Sequence, residues 1–323
     1  MEPITATFFD LVRAPMEEVE TRMRMGSGQH NPALDQAIEH LLSSGGKRIR
    51  PTVVLLSAAM LGADSDRAVT LAAAIEMLHT ATLVHDDLID GALLRRGSPT
   101  LNARWTPGAT VLTGDYVFAR AAYLAALTGS LPVMQSFART LMTIVNGEIN
   151  QLFHTQTGDL RRDYKDRIYS KTASLFELAT EGAALLADSD AETLGILRTF
   201  GYQIGVAFQI VDDVLDFVGN EGEVGKPVAG DLRQGIITLP CLYYLEANPD
   251  DINVVNAVAG RRLDDRSLEH LIADIRESEA ISQSLEEARS FLDAGETALR
   301  RLPDTPEREA LRALTHYVGE RTM

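Results

Sequence analysis

The chain has 323 residues, of which 45% are apolar and 24% are charged, and these fractions are ordinary for a globular protein with one large core. Its formal net charge of -16 excludes the basic surface of a nucleic-acid binder, so any anionic ligand must be met by local cations or metal ions. Cys241 is the only cysteine, which excludes an internal disulfide and favours a reduced, cytoplasmic setting with this thiol in the core.

We expect neither a secretory signal nor a membrane span. The N-terminal stretch has no basic flank followed by an apolar run. The longest apolar stretches are short or carry Glu76 and His79, which a spanning helix would not tolerate easily.

Apolar residues recur three and four positions apart along most of the chain, which predicts packed helices and an all-α fold class. Thr305, followed by proline and glutamate, predicts a helix start near the end of the chain. We find no internal repeat or linker, so residues 1–323 are predicted to form one domain with residues 242–323 as closing helices. Glycine, proline and aspartate cluster at the predicted breaks, which are residues 43–51, 94–109, 154–163 and 219–235.

The first acidic cluster ends an apolar segment in LVHDDLIDGALLRRG, residues 83–97. Residues four apart on a helix lie one above the other, so Asp86 and Asp90 share a face, with Asp87 beside them and His79 earlier on the same stripe. A polar stripe of this kind faces either solvent or a ligand-filled cavity. One cluster alone does not decide between the two.

A second cluster repeats the spacing in FQIVDDVLDF, where Asp212, Asp213 and Asp216 follow Gln209. Carboxylates that share a cavity would repel one another unless cations lay between them. Oxygen ligands favour a hard ion, Mg²⁺ before Zn²⁺, and Mg²⁺ usually shares its coordination with substrate phosphates. The two clusters together therefore predict a magnesium and diphosphate site.

Basic residues beside glycine turns are the candidates for holding such phosphates. Each one alone is an ordinary surface charge, and only the combination with the acidic clusters gives it weight. The candidates are Lys47, Arg48 and Arg50 in GGKRIRP, Arg95 and Arg96 in LLRRG, Lys171 in YSKTASLF and Lys226 in VGKP.

With these motifs in this order, the chain resembles the trans-isoprenyl diphosphate synthases (polyprenyl synthetases), and among them those with long-chain products. The resemblance implies the isoprenoid synthase fold, a single-domain helical bundle around a deep central cavity. It also implies a homodimer, with the two aspartate motifs facing each other across the mouth of the cavity. The segments that carry it are GGKRIRP, HTATLVHDDLIDGALLRRGSPT, GDYVFARA, YSKTASLF, FQIVDDVLD and VGKPVAGDL.

The resemblance assigns roles residue by residue. Asp86, Asp90, Asp212 and Asp216 are implied ligands of about three Mg²⁺ ions, supported by Asp87 and Asp213. The residues implied to hold the allylic diphosphate are Arg95, Lys171, Gln209 and Lys226, with Thr172 as a further substrate-binding residue. Those implied to hold isopentenyl diphosphate are Lys47, Arg50, His79 and Arg96, with Phe208 beside the hydrocarbon. For His79 an ordinary core histidine remains the alternative.

The implied reaction breaks the C–O bond of an allylic diphosphate, and the double bond of isopentenyl diphosphate attacks the resulting cation. Metal ions and fixed cations would stabilise the departing diphosphate, so no activated nucleophile is needed. One position departs from the family: Ile236 in DLRQGIITLP stands where members often have lysine. We expect weaker or rearranged diphosphate binding there.

The predicted product pocket follows the helix of the first motif. Ala81 and Thr82, which precede Asp86, are small, so the tail is not stopped there, although close helix packing explains small residues equally well. We expect a long-chain all-trans product of the hexaprenyl to decaprenyl class. The other predicted pocket residues are Ala74, Leu78, Tyr123 and Leu127.

Three other functions stay open at this point. A geranylgeranyl diphosphate synthase would share all of these motifs. A terpene cyclase would share the first aspartate motif but consume the allylic substrate alone. A noncatalytic partner subunit would shape a hetero-oligomer without performing the chemistry.

Overall fold

The structure of the protein is a computed structural model that describes residues 4–25, 31–95, 97–153, 158–219 and 228–320, with residues 4–7 described by their backbone alone. Helices make up nearly all of its regular structure, so the predicted all-α fold class is confirmed. In chain order the helices of these residues are α1 (Ile4–Leu11), α2 (Arg13–Arg24), α3 (Pro32–Ser43), α4 (Ile49–Met60), α5 (Ser65–Ile89), α6 (Pro107–Leu127), α7 (Leu131–Leu152), α8 (Leu160–Ile168), a π-helical segment (Tyr169–Ala173), α9 (Ser174–Leu186), α10 (Ala191–Val218), α11 (Gly230–Arg233), α12 (Leu239–Ala247), α13 (Ile252–Val258), α14 (Asp265–Glu277), α15 (Ala280–Leu299) and α16 (Pro306–Glu320).

Side-chain caps begin several of these helices. At the start of α5 the carboxylate of Asp64 accepts the backbone N–H of Arg67 at 2.9 Å. The predicted helix start near the end of the chain is confirmed in the same way, because Thr305 Oγ1 accepts the backbone N–H of Arg308 at 3.2 Å. The residues that end one helix and begin the next are thus set locally.

The breaks predicted at 43–51 and 94–109 each separate two helices. The second of them also contains a hairpin that the sequence did not predict. Strands β1 (Leu94–Arg95) and β2 (Ser98–Pro99) pair antiparallel, with Leu94 opposite Pro99 and Arg95 opposite Ser98. Elsewhere in the part of the chain that the structure describes there is no strand.

The chain divides into two compact units by its internal contacts. Unit 1 comprises Met1–Met142, Leu175–Gly201 and Ala298–Leu314. Unit 2 comprises Thr143–Ser174, Tyr202–Thr297 and Thr315–Met323. The single domain predicted from the sequence stays a prediction.

Helix α5 forms the centre of unit 1. Every residue from Ala68 to Leu78 is buried, and the helix packs against α2, α4 and α6. By length and composition α5 and α10 could each cross a membrane, but 78% and 56% of their most apolar windows are buried within the protein. A helix that is apolar on most sides is expected in a protein core, and that is where α5 lies.

Apolar clusters form the core of unit 2. One contains Tyr164, Ile210 and Leu242, and another contains Phe217 and Cys241. The predicted core position of Cys241 is confirmed, and burial raises the pKa of its thiol to about 12. The thiol is therefore an inert packing group.

Helix α9 and the first turns of α10 approach closely at Gly201. A Cβ there would contact Thr180 Oγ1 and lie 2.6 Å from the backbone oxygen of Phe176. We expect Gly201→Ala to lower the free energy of unfolding by about 1–3 kcal/mol, because the backbone of α9 must move away. Gly195→Ala on the same helix is the matched control, since a Cβ there meets nothing within 4 Å and we expect unchanged or higher stability. Urea denaturation of both variants checks this, and equal stability of the two would contradict it.

Candidate functional site

The first aspartate motif closes helix α5 in unit 1. Asp86 is half-buried, Asp87 is buried and Asp90 is exposed at the end of the helix, where its backbone N–H bonds to the Asp86 carbonyl at 2.8 Å. The three carboxylates therefore differ in their access to solvent. Asp90, and Asp86 in part, are open to solvent, whereas Asp87 is enclosed.

The buried carboxylate of Asp87 is held by the hairpin that follows the helix. Arg95 Nε donates a hydrogen bond to Asp87 Oδ1 at 2.7 Å. The β1–β2 pairing and Gly97 at φ 76° place this arginine directly beside the end of α5. Arg95 thus anchors Asp87, and its predicted contact with the allylic diphosphate stays a prediction.

The histidine that precedes the motif packs against a glycine of α6. The ring of His85 stacks on Phe118 with centroids 5.1 Å apart, and Nε2 lies 3.4 Å from an oxygen of Asp115. A Cβ on Gly114 would collide with the imidazole. The GDYVFARA segment of α6 therefore fixes the backbone that carries Asp86.

A cavity of about 50 Å³ in unit 1 joins the first motif to the GGKRIRP segment. Its lining includes Arg48, Glu76, His79, Asp87 and Arg95. The structure thus brings His79 together with the first motif, as the sequence predicted for a site residue. Which ligand His79 contacts stays a prediction.

The other predicted residues of the GGKRIRP segment differ in exposure. Lys47 is exposed in the loop before α4. Arg50 is half-buried in the first turn of α4, with its Cζ 5.0 Å from the ring centroid of Phe176. This geometry is a cation–π contact.

The second aspartate motif lies on α10 in unit 2 and repeats the pattern of the first. Asp212 is half-buried, whereas Asp213 is 3% exposed and accepts hydrogen bonds from Tyr164 Oη at 2.7 Å and Gln209 Nε2 at 2.8 Å. Burial, with a smaller effect of the charge of Asp231, raises the pKa of Asp213 to about 7. The middle carboxylate of this motif is again buried and held by donors.

The last aspartate of the second motif caps a helix. Asp216 Oδ1 accepts the backbone N–H of Gly230 at 3.0 Å, and Oδ2 accepts that of Asp231 at 3.1 Å. These bonds tie α11 to α10. A carboxylate oxygen that accepts one hydrogen bond can still bind a cation through its second lone pair. The role of Asp216 as a metal ligand stays a prediction.

A π-helical segment carries two further predicted residues of unit 2. Thr172 Oγ1 donates to Gln209 Oε1 at 2.6 Å, which continues the bonds from Gln209 to Asp213. Lys171 Nζ lies 3.9 Å from an oxygen of Glu148. Single π-helical turns inside α-helices often occur at functional sites. The structure brings Thr172 together with the second motif, and Lys171 is its neighbour in the same segment.

Other predicted residues lie on α5, α6 and α10 and in the loop before α12. Phe208 is half-buried on α10, Ala74, Leu78 and Ala81 are fully buried on α5, and Thr82 is half-buried. Tyr123 and Leu127 are 60% and 55% exposed on α6. Ile236 is half-buried, and its backbone N–H bonds to the Asp231 carbonyl at 2.9 Å.

Arg96 and Lys226 lie outside the described residues. The first and second motifs belong to different units, so their predicted opposition stays a prediction.

Two contributors were missed by the sequence analysis. Tyr164 holds Asp213, although nothing in its surrounding segment marks it as more than a core tyrosine. Glu20 lies on a helix that is distant in the sequence, and its carboxylate accepts a hydrogen bond from Arg48 Nε at 2.5 Å. No local pattern could have found either contact.

Comparison with known proteins gives consistent matches over nearly the whole chain. Residues 31–275 match the sequence profile of the polyprenyl synthetase family. The chain is 39% identical over 313 residues to heptaprenyl diphosphate synthase component 2 of Geobacillus stearothermophilus, which covers 97% of this chain and 96% of that protein. It is 36% identical over 290 residues to the octaprenyl diphosphate synthase of Escherichia coli K12, with coverages of 89% and 90%. The crystal structure of a polyprenyl synthase from Caulobacter crescentus CB15, complexed with calcium and isoprenyl diphosphate, matches with a TM-score of 0.89 and 34% identity over 98% of this chain and 97% of that one.

The raised pKa of Asp213 predicts a pH-dependent stability of the metal-free protein. A carboxyl group with a folded-state pKa above its ordinary value of 3.8 stabilises the fold at low pH, and this contribution is lost as the pH rises through about 7. We expect urea denaturation in EDTA to show a free energy of unfolding that falls less steeply with pH in Asp213→Asn than in the wild type. Asp250→Asn, at an exposed aspartate of the same unit, is the matched control. Parallel pH curves for the wild type and Asp213→Asn would contradict the assignment.

Proposed function

The chain belongs to the polyprenyl synthetase family and is a prenyltransferase, and from this premise we propose that it lengthens an allylic diphosphate with isopentenyl diphosphate. The product proposed is a long-chain all-trans polyprenyl diphosphate. Heptaprenyl and octaprenyl diphosphate synthases among the relatives support the long chain. A geranylgeranyl product is the alternative.

One observation carries the proposal. Each unit holds an aspartate motif on a helix in which the first carboxylate reaches solvent and the second is buried and hydrogen-bonded. A purely solvated acidic face needs no such donors. The repeated arrangement supports two motifs built to present oxygens in a fixed direction.

The residues present fit magnesium. Carboxylate oxygens are the ligands that Mg²⁺ prefers, and among the described residues no three acidic, histidine or cysteine side chains cluster tightly enough to hold a metal alone. Mg²⁺ usually shares its coordination with substrate phosphates. Asp86, Asp90, Asp212 and Asp216 would hold about three Mg²⁺ ions, which when bound supply Lewis-acid stabilisation of the departing diphosphate.

The basic and polar residues would orient the two substrates. Lys171, Gln209, Arg95 and Lys226 would hold the allylic diphosphate. Gln209 gives one N–H to Asp213 and receives a bond from Thr172, so one amide N–H is left for a phosphate oxygen. Rigidly held donors of this kind stabilise charge that develops as the C–O bond breaks.

The second substrate would be bound beside the first motif. Lys47, Arg50, His79 and Arg96 would hold the diphosphate of isopentenyl diphosphate, with Phe208 near its hydrocarbon. Its double bond attacks the allylic cation, and the proton lost afterwards goes to the departed diphosphate. Buried apolar walls such as that of α5 exclude water, which would otherwise trap the cation.

The proposed assembly is a cytoplasmic homodimer. In unit 1 the large apolar side chains of Leu112, Tyr123 and Leu127 are exposed on α6, at spacings that place them on one side of the helix. Exposed apolar surface of this kind supports association. Tyr123 and Leu127 would then contact a second copy as well as, or instead of, a product tail. The relative named as component 2 keeps a different partner subunit as the alternative.

The proposed function is tested with the purified single chain, isopentenyl diphosphate, farnesyl diphosphate and Mg²⁺. We expect radiolabelled lipid products of the hexaprenyl to decaprenyl class, no turnover in EDTA, and a loss of kcat of roughly a hundredfold or more in Asp86→Asn. Consumption of farnesyl diphosphate without isopentenyl diphosphate would instead indicate a cyclase. Inactivity of a folded, metal-loaded chain would refute the single-chain enzyme and favour the partner-subunit alternative.

The product pocket is tested at Ala81. We expect Ala81→Phe to shorten the product while the Mg²⁺ dependence stays, because the ring would block the tail beside α5. Ala72→Phe is the matched control, since Ala72 is equally buried on the same helix but lies about 180° away around its axis. Thin-layer sizing of the products separates the two. Unchanged product length in Ala81→Phe, or equal shortening in both variants, would refute the pocket assignment.

A further inference from the structure

Arg48 holds an unusual backbone conformation in the GGKRIRP segment. It precedes α4 with φ 48° and ψ 35°, in the left-handed region. That conformation costs roughly 1–2 kcal/mol for a residue with a Cβ, and glycine adopts it freely, as Gly45 does three residues earlier at φ 77°. An arginine at this position therefore needs a compensating role for its side chain.

The side chain of Arg48 connects three helices of unit 1. Its Nε donates to Glu20 on α2 at 2.5 Å, its Nη1 donates to Glu76 on α5 at 2.9 Å, and its Nη2 donates to the Leu42 carbonyl at the end of α3 at 3.1 Å. The side chain is only 15% exposed, and Glu76 is buried. A planar guanidinium can serve three acceptors in fixed directions, which a lysine ammonium cannot do equally well.

The charges of this network stabilise one another. Burial would lower the pKa of Arg48, but the charges and hydrogen bonds of Glu76 and Glu20 outweigh it and raise that pKa. Burial would likewise raise the pKa of Glu20, but Arg48 and Arg24 hold it below its ordinary value. Two carboxylates therefore bind the guanidinium, and a phosphate would have to displace them to reach it.

We propose that Arg48 is a positioning residue for isopentenyl diphosphate: it fixes the GGKRIRP segment to α5 so that Lys47 and Arg50 are held for the diphosphate. This inference rests on the proposed function. The side chain and N–H of Thr52 bond to the Arg48 carbonyl at 2.8 and 3.1 Å, so the left-handed turn and the first turn of α4 are joined.

The cavity in unit 1 links this anchor to the substrate site. Arg48, Glu76 and His79 line it together, and Glu76 lies one turn before His79 on α5. A shift of Arg48 therefore moves the loop relative to the helix that carries His79 and the first aspartate motif. Misplacement of binding groups by about 1 Å can change rates by roughly a hundredfold.

Two substitutions separate the effect of the Arg48 side chain from that of its left-handed backbone conformation. Arg48→Lys keeps the positive charge but loses the planar guanidinium that serves three acceptors. Arg48→Gly relieves the strain of the left-handed backbone but removes the side chain. In both we expect the KM for isopentenyl diphosphate to rise about tenfold or more, while kcat and the KM for farnesyl diphosphate stay within about twofold. Arg198→Lys is the control, because Arg198 pairs with buried Glu181 at 2.7 Å in the same unit and we expect lower stability without a change in either KM.

The inference is overturned if folded Arg48 variants keep the wild-type KM for isopentenyl diphosphate, or if both KM values and kcat change equally. If the Arg48 variants do not fold, Glu76→Gln takes their place, with the same selective rise expected and an unchanged KM again overturning the inference. Calorimetric titration of isopentenyl diphosphate into the wild type and each variant gives a second readout, the dissociation constant of this substrate. A wild-type chain that fails to elongate would refute the proposed function, whereas wild-type turnover with unaltered variants would refute only the role of Arg48.

Discussion

A carboxylate that leaves water must be met by a hydrogen-bond donor, and this requirement organises both aspartate motifs. A DDxxD sequence on a helix cannot point all its side chains outward, because adjacent residues are about 100° apart around the axis. In each motif the second aspartate falls on the buried side. Arg95 meets it in unit 1, and Tyr164 with Gln209 meets it in unit 2.

Much of the irregular structure around the motifs serves to bring these donors into place. The two-residue strands and the glycine turn between them bring Arg95 back to the end of α5. The π-helical segment turns Thr172 towards Gln209, and Gly147 on α7 leaves room for Ser170 within that segment. The first aspartate of each motif can then keep a fixed direction while it remains accessible, as a ligand of a substrate-bound metal must.

The sequence predicted those features that local physics decides. Apolar periodicity, capping residues and glycine or proline clusters predicted the all-α fold class, the breaks at 43–51 and 94–109 and the helix start at Thr305. The i, i+4 spacing predicted the shared face of Asp86 and Asp90. The contacts of Tyr164 and Glu20 could not be predicted, because each joins helices distant in the sequence and depends on packing that a single sequence does not encode locally. The exposure of Tyr123 and Leu127 likewise depends on tertiary packing, because helical spacing does not say which neighbour covers a given face.

A count of basic residues also overstates the positive charge that a motif offers to an anion. GGKRIRP contains three cationic side chains, but two carboxylates neutralise the charge of Arg48, so the positive charge that the segment offers is carried by Lys47 and Arg50. Lys47 is the exposed member of the three. In a chain with a net charge of -16, an anionic substrate therefore binds to a few cationic side chains that must be correctly oriented. The residues that set this orientation matter as much as those that contact the phosphate. A guanidinium locked between Glu20 and Glu76 adds little to the field at the substrate, yet it determines where the neighbouring lysine can reach.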